Sequence, residues 1–350
     1  MMRTGRINPF RCVLAALAGL ALLVSAGSCE AGEDRPAAAV ELAFDRPLDA
    51  SMAPFVLAVS RGLFGAEHLA VSFHVADGSP EAIARVASGA SEFALADINE
   101  LIRFRDKANA PPVKAVFVLF NQAPYAIVAR RSRGIHTLSD LEGKTLGVAE
   151  SDLTFRLWPA LAKANGINRS AVKVYKMSAS VREPILSAGQ VDAVDGFSYL
   201  SAVNLRDRGV PASDLVVLRY ADYGCEAYGF AVIVNPAFAA SKPEAVRGFV
   251  RAAIAGTNLA IKAPERAADA VIARMDGGER DLELERLRTV IADNILTAEV
   301  RRNGLGGIDP ARFARAIAQV GEDFKLHRKP EASDIFDDSF LPPAGLRLIN

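Results

Sequence analysis

Ile83-Ala84-Arg85-Val86-Ala87-Ser88-Gly89-Ala90-Ser91-Glu92-Phe93-Ala94 reads as an amphipathic helix, a glycine stop, an acid and then a buried strand. Ile185-Leu186-Ser187-Ala188-Gly189-Gln190-Val191-Asp192-Ala193-Val194 repeats that order later in the chain. In both copies the glycine can take the left-handed conformation that ends a helix. The echo argues for two related lobes.

Outward from these two units, strand patterns alternate with helical ones. Strands are expected at 40–44, 69–75, 93–96, 113–120, 125–129, 145–149, 172–176, 191–194, 216–218 and 230–234. Helices are expected between them at 53–64, 79–88, 155–165 and 181–187. After Pro236 the pattern is mostly helical: 243–262, 264–275, 282–294 and 310–324. Such alternation predicts an α/β protein with mixed, mostly parallel sheets flanked by helices.

The chain has 350 residues, 51% of them hydrophobic, which is enough for two lobes with their own cores. Aromatics are only 7%. The N-terminus reads as a targeting segment. Arg3, Arg6 and Arg11 precede an uncharged apolar run from Cys12 to Ala26, too short to span a bilayer comfortably. Residues 1–29 are therefore expected to be a signal peptide and 30–39 a linker. Ala26-Gly27-Ser28-Cys29 resembles a bacterial lipobox, with Ala26 where a larger apolar residue is usual, so Cys29 is a candidate for lipidation and a lipid anchor. Removal of residues 1–29 takes three arginines and no acid, and the formal charge moves from +0 to −3. A mildly acidic chain has no electrostatic reason to bind nucleic acid. Cys225 is then the sole cysteine, which excludes an internal disulfide, and no Cys/His cluster has metal-ligand spacing. No cofactor and no metal are expected.

Several segments, in order, resemble the bacterial solute-binding proteins for nitrate, taurine and alkanesulfonates and those for thiamine pyrimidine precursors. They are Pro54 through Gly62-Leu63-Phe64, Gly78, Gly89 to Phe93, Leu138 to Val148, Gly189 to Ala193, Asn235 to Phe238 and Pro243 through Glu265. The resemblance covers roughly residues 40–275 and implies a two-lobed clamshell of the type II periplasmic-binding-protein class. It implies a first lobe of 40–127 with 235–350, a second of 128–234, and a ligand between them. It further implies export to the periplasm or the outer face of the cytoplasmic membrane, an ABC transporter permease as partner, and action as a monomer.

Ligands of open α/β sheets bind beyond the carboxyl ends of strands, where helix N-termini offer free amides. The loops in that position supply Asp49, Ser51 and Met52, then Gly78 and Ser79, Asp97, and Ser151, Asp152 and Thr154. Asn121, at the expected hinge, and Phe197 are further candidates. Ser79, Asp97 and Asp152 could equally be plain helix caps, and Phe197 a core residue. In Tyr220-Ala221-Asp222-Tyr223-Gly224-Cys225-Glu226-Ala227-Tyr228-Gly229, two acids sit among three tyrosines, which nominates Tyr223 and Glu226. Acids at these loops disfavour an oxyanion, so a pyrimidine thiamine precursor is the expected ligand, ahead of a sulfonate, taurine or nitrate. The same module could serve as a sensor. An enzyme of pyrimidine synthesis is disfavoured: consecutive cysteines are lacking, and His68, His74, His136 and His327 show no partner spacing.

Overall fold

Ten strands form two five-stranded sheets of the same design. The computed structural model describes residues 37–150 and 152–349; the expected signal peptide, Cys29 and Ser151 lie outside them. In the first sheet the order is β2 (Leu69–Val75), β1 (Ala38–Phe44), β3 (Phe93–Asp97), β10 (Phe230–Val234), β4 (Lys114–Val118). In the second it is β7 (Lys173–Met177), β6 (Thr145–Ala149), β8 (Ala193–Phe197), β5 (Tyr125–Arg130), β9 (Leu215–Arg219). The three leading strands of each sheet run parallel, and the fourth is antiparallel to both its neighbours. That fourth strand, β10 or β5, is the one that enters its sheet directly from the other sheet. Alternation along the sequence could not reveal this reversal, because it follows from which sheet the chain is leaving.

The helix–glycine–acid–strand echo is structural. Gly89 and Gly189 both have positive φ. Glu92 Oε2 accepts the amide of Glu41 at 2.7 Å, and Asp192 Oδ2 accepts that of Thr145 at 2.8 Å. In each lobe the acid therefore satisfies an amide of the neighbouring parallel strand, which would otherwise lack a partner. Sheet membership changes at Tyr125 and at Phe230.

Boundaries differ from expectation where local geometry intervenes. The helix expected at 53–64 breaks at Gly62, which is left-handed, into Ala53–Ser60 and Leu63–Ala66. β8 runs on to Phe197, so Gly196 and Phe197 are strand rather than loop. Val75, at the end of the edge strand β2, is 51% exposed. The helix expected over 282–294 is Arg280–Val290, continued by a π-helical turn at Ile291–Ile295.

Lobe 1 owes much of its core to the helix Pro243–Lys262 lying across the helix Ala53–Ser60. Phe249 stacks on Phe93 with centroids 3.9 Å apart. A Cβ on Gly256 would come within 2.1 Å of the Pro54 carbonyl oxygen, so glycine here is what permits the two helices to approach. Gly256→Val should cost at least about 1–3 kcal/mol of stability by overpacking. Gly65→Ala, at a helical position with open space around it, should stabilise by about 0.5–1 kcal/mol. Urea titration of both variants checks the pair.

Candidate functional site

The carboxyl ends of the parallel strands in both sheets meet at the two chain crossings. These are residues 119–124 on the way out of lobe 1 and 224–229 on the way back. They run side by side: Phe120 N donates to the Phe230 carbonyl at 3.0 Å, Gly229 N to that of Phe120 at 2.9 Å and Ala123 N to that of Ala227 at 3.1 Å.

On the lobe 1 side, three loops are tied into one polar unit. Ser79 Oγ donates to Asp45 Oδ2 at 2.6 Å and accepts the Asp97 amide at 3.0 Å. Gly78, just before it, has φ 88°, a conformation that favours glycine. Asp97 ends β3 and caps the following helix by accepting the Asn99 amide. Its other oxygen accepts the Tyr125 hydroxyl at 2.5 Å, which binds the first strand of lobe 2 to the last parallel strand of lobe 1. Asp49 caps the short 3-10 turn Ala50–Met52 through the Ser51 amide.

Arg46 stands in the middle of this unit. Its guanidinium carbon lies 4.1 Å from the Phe230 ring centroid in lobe 1 and 5.4 Å from that of Phe197 in lobe 2. Asp45 and Asp49 flank it at 3.4 and 3.5 Å, too poorly aligned to hydrogen-bond. Phe197 also stacks on Tyr199 with centroids 6.0 Å apart. One aromatic wall from each lobe thus faces a shared cation.

The lobe 2 side carries its own charge cluster. Arg182 Nη1 donates to Asp152 Oδ2 at 2.5 Å and to Asp195 Oδ1 at 3.0 Å. Because Asp152 is turned to Arg182, its side chain does not cap the helix Leu153–Ala164 that it precedes.

Burial sets the electrostatics. It pushes the Asp97 carboxyl up to about 7, although the Tyr125 and Asn99 hydrogen bonds pull the other way. Asp195 rises to about 6 by burial, against the pull of Arg182. Asp45 is raised by burial too, only partly offset by Arg46. For Arg46 burial alone would lower the value, but Asp45 and its neighbours prevail and hold the guanidinium charged. Several polar atoms here are buried without a hydrogen-bond partner: Asp45 Oδ1, Asp195 Oδ2 and Ser198 Oγ. Each such group costs free energy of order 1–3 kcal/mol, and they gather where the two lobes meet.

The sequence candidates divide accordingly. Asp49, Ser51, Gly78, Ser79, Asp97 and Phe197 come together at the meeting of the lobes, with Asp152 in the lobe 2 cluster. Met52 is fully buried in the lobe 1 apolar core, and Thr154 is buried in the first turn of its helix. Asn121 is committed to the hinge: it donates to Glu299 Oε1 and accepts from Thr297 Oγ1 and Arg312 Nη1. Tyr223 and Glu226 have their partners on the other side of the crossing. Glu226 is held by Arg315 in a bidentate pair, and the Tyr223 carbonyl accepts from Asn165. The count of acids shrinks with them: Asp77 is exposed and Glu150 pairs with Lys176 at the surface. Sequence reasoning missed Arg46, Arg182 and Asp195. A lone acid inside the apolar run Ala193-Val194-Asp195 was the one available signal; nothing distinguished Arg46.

Two α/β lobes, joined by two crossings and lined with polar groups at their facing strand ends, define the clamshell of the periplasmic-binding-protein class. Residues 49–267 match the family described as NMT1/THI5 like, and the chain belongs to that family. A riboflavin-binding protein of Chloroflexus aurantiacus is 26% identical over 87% of this chain and 86% of its own length. A formylaminopyrimidine-binding protein of Halalkalibacterium halodurans is 23% identical over 93% and 97%. A 4-amino-5-hydroxymethyl-2-methylpyrimidine phosphate synthase of Legionella pneumophila is 24% identical over 67% and 68%. Among solved structures, the periplasmic aliphatic sulphonate-binding protein of Escherichia coli shares the fold at a TM-score of 0.67 and 14% identity, over 85% of this chain and 91% of that one. No helix among the described residues is long and apolar enough to cross a membrane.

The raised Asp97 carboxyl has a consequence for stability. The folded protein holds that proton to about 7, whereas the unfolded chain releases it near 3.8. The stabilisation is complete below about pH 4 and is lost as pH rises through 7. Asp97→Asn should flatten the fall in unfolding free energy between pH 4 and 7 without abolishing it, since Asp45 and Asp195 contribute in the same sense. Urea midpoints of ligand-free protein across that range test this, and a slope equal to that of the wild type would refute it.

Proposed function

We propose that this protein is the solute-binding component of an ABC importer, and that it captures a small, flat, polar molecule where its lobes meet. The observation that carries the reading is the gathering of unpartnered buried polar atoms between aromatic walls from both lobes. Buried polar groups without partners are retained where a ligand or water satisfies them. Phe197 and Phe230 suit the faces of a heterocycle, and Asp97 and Asp45 suit its amine or ring N–H edge. A pyrimidine of the thiamine-precursor type is our first choice, with flavins next among heterocycles. Sulfonates, taurine and nitrate are the alternatives, and they would have to draw on Arg46 and Arg182. A sensory role for the same ligand-binding module is the further alternative.

In this reading the lobes comprise 40–127 with 235–350, and 128–234, to within a few residues of the strands that change sheet. Closure proceeds because the ligand contacts both lobes only in the closed form, so its differential affinity shifts the population. The protein is exported by its N-terminal segment, works as a monomer with a permease partner outside the cytoplasm, and is anchored through Cys29 if the lipobox is used. It binds without turning its ligand over.

The test is a thermal-shift screen with 4-amino-5-hydroxymethyl-2-methylpyrimidine, riboflavin, taurine, an alkanesulfonate and nitrate, followed by calorimetry on any compound that raises Tm. Phe197→Ala and Asp97→Ala should each weaken binding of the hit by about tenfold or more, equivalent to ~1.4 kcal/mol. Wild-type affinity in both variants would remove these residues from the site. Mass spectrometry of the recovered ligand tests the absence of turnover.

A further inference from the structure

The helix Pro310–Phe324 carries a polar stripe that neither the fold core nor the ligand site uses. Arg312, Arg315, Gln319 and Asp323 are spaced by three, four and four residues, which places them on one face. Phe313, Ala316, Ile317 and Val320 fill the apolar face beside it. The stripe runs along the hinge. Arg312 donates to carbonyls on both crossings: Asn121 at 2.8 Å on the first, and Glu226 at 3.0 Å on the second. It also pairs with Glu299 at 3.0 Å and lies 4.0 Å from the Tyr228 ring centroid. Arg315 holds the Glu226 carboxylate, and Gln319 accepts the Glu226 amide and donates to the Gly224 carbonyl.

The far end of the stripe reaches lobe 2. The helix Leu153–Ala164 contains Pro159. A proline within a helix removes one amide and forces the carbonyl four residues back out of line. The next amide, Ala160, donates to Asp323 Oδ1 at 3.1 Å. The residue after the proline thus makes a hydrogen bond to the other lobe. The two ends of the stripe are unequally anchored. Several hydrogen bonds and a stacked ring fix Arg312, whereas Asp323 has this one bond. Cavities of about 750 and 180 Å³ adjoin it, the larger lined by Pro159, Ala160, Lys163, Arg169, Glu322 and Asp323.

We propose that the helix Pro310–Phe324 is a hinge brace: Arg312 fastens it to both crossings, and the Asp323–Ala160 bond holds lobe 2 in the orientation seen here until the lobes part. Rotation about the crossings cannot keep both ends of a rigid helix in place, and the end that is not tied to the crossings is the one that yields. Pro159 thus acts as a positioning residue that supplies the free amide, and Asp323 as the catch. The inference rests on the two-lobed fold and not on which ligand is bound.

The experiment is small-angle scattering of the ligand-free protein. Asp323→Ala should raise the radius of gyration by roughly 1 Å over the ~20 Å expected for a chain of this size. Pro159→Ala should do the same by a different route, since it returns the Ala160 amide to its own helix while making that helix more regular. The double variant should open no further than either single one, because both remove the same bond. Hydrogen exchange should accelerate at Ala160 in Asp323→Ala and slow there in Pro159→Ala. If Asp323→Ala fails to fold, Pro159→Ala carries the test. Wild-type radii in the folded variants, or additive effects in the double one, would overturn the brace. A merely structural role would lower Tm while leaving the radius unchanged.

Discussion

Everything in this molecule hangs on two strands of chain lying side by side between its sheets. Residues 119–124 and 224–229 share backbone hydrogen bonds from Phe120 to Gly229, and a Cβ on Gly229 would come within 2.9 Å of Phe120. That closeness sets the lobes' separation and decides which strand of each sheet runs backwards. It also puts the carboxyl ends of both sets of parallel strands opposite each other. The crossings bury Phe120 against Tyr199 and Phe230, and Tyr228 against Phe313. They are held as well by a polar lattice of Asn121, Glu299, Tyr228, Arg312 and Thr297, which is directional where apolar packing is not.

The meeting place inherits its chemistry from that arrangement. Loops after β1, β2 and β3 are locked to one another through Asp45, Ser79 and Asp97, so lobe 1 offers a rigid half-site. Lobe 2 reaches across with Tyr125, Phe197 and Tyr199. Charges in this seam are kept in pairs or triads because an isolated buried ion is far costlier than one with a partner. Asp45–Arg46–Asp49 in one lobe and Asp152–Arg182–Asp195 in the other have the same composition, two carboxylates around one guanidinium. With every group ionised each cluster carries a net charge of −1, so each guanidinium offsets one of its two carboxylates.

Much of the fold was legible along the chain. Strand and helix periodicity marked every strand, and helices such as Pro243–Lys262 and Pro310–Phe324 matched to the residue because proline starts them and a polar break ends them. The site was legible only in part. The loops after strands follow from the strand pattern, so the place of Asp49, Ser79 and Asp97 at the meeting of the lobes could be read from position. The partners of Tyr223 and Glu226 could not be read in that way. A tyrosine-rich stretch with acids looks like a binding loop, yet Arg315 and Gln319, distant in sequence, claim its carboxylate and amide for the hinge.

What the sequence by itself determined is the inventory: two α/β units with the same helix, glycine stop, acid and strand, because those features depend on neighbours a few residues away. Tertiary structure alone decided which charges are shared and which are spent. Arg46 becomes central only when Phe230 and Phe197, from different sheets, are brought beside it. Asp323 reaches the Ala160 amide only in the folded chain. Contacts of that kind depend on distances across the folded chain, and no local pattern encodes them.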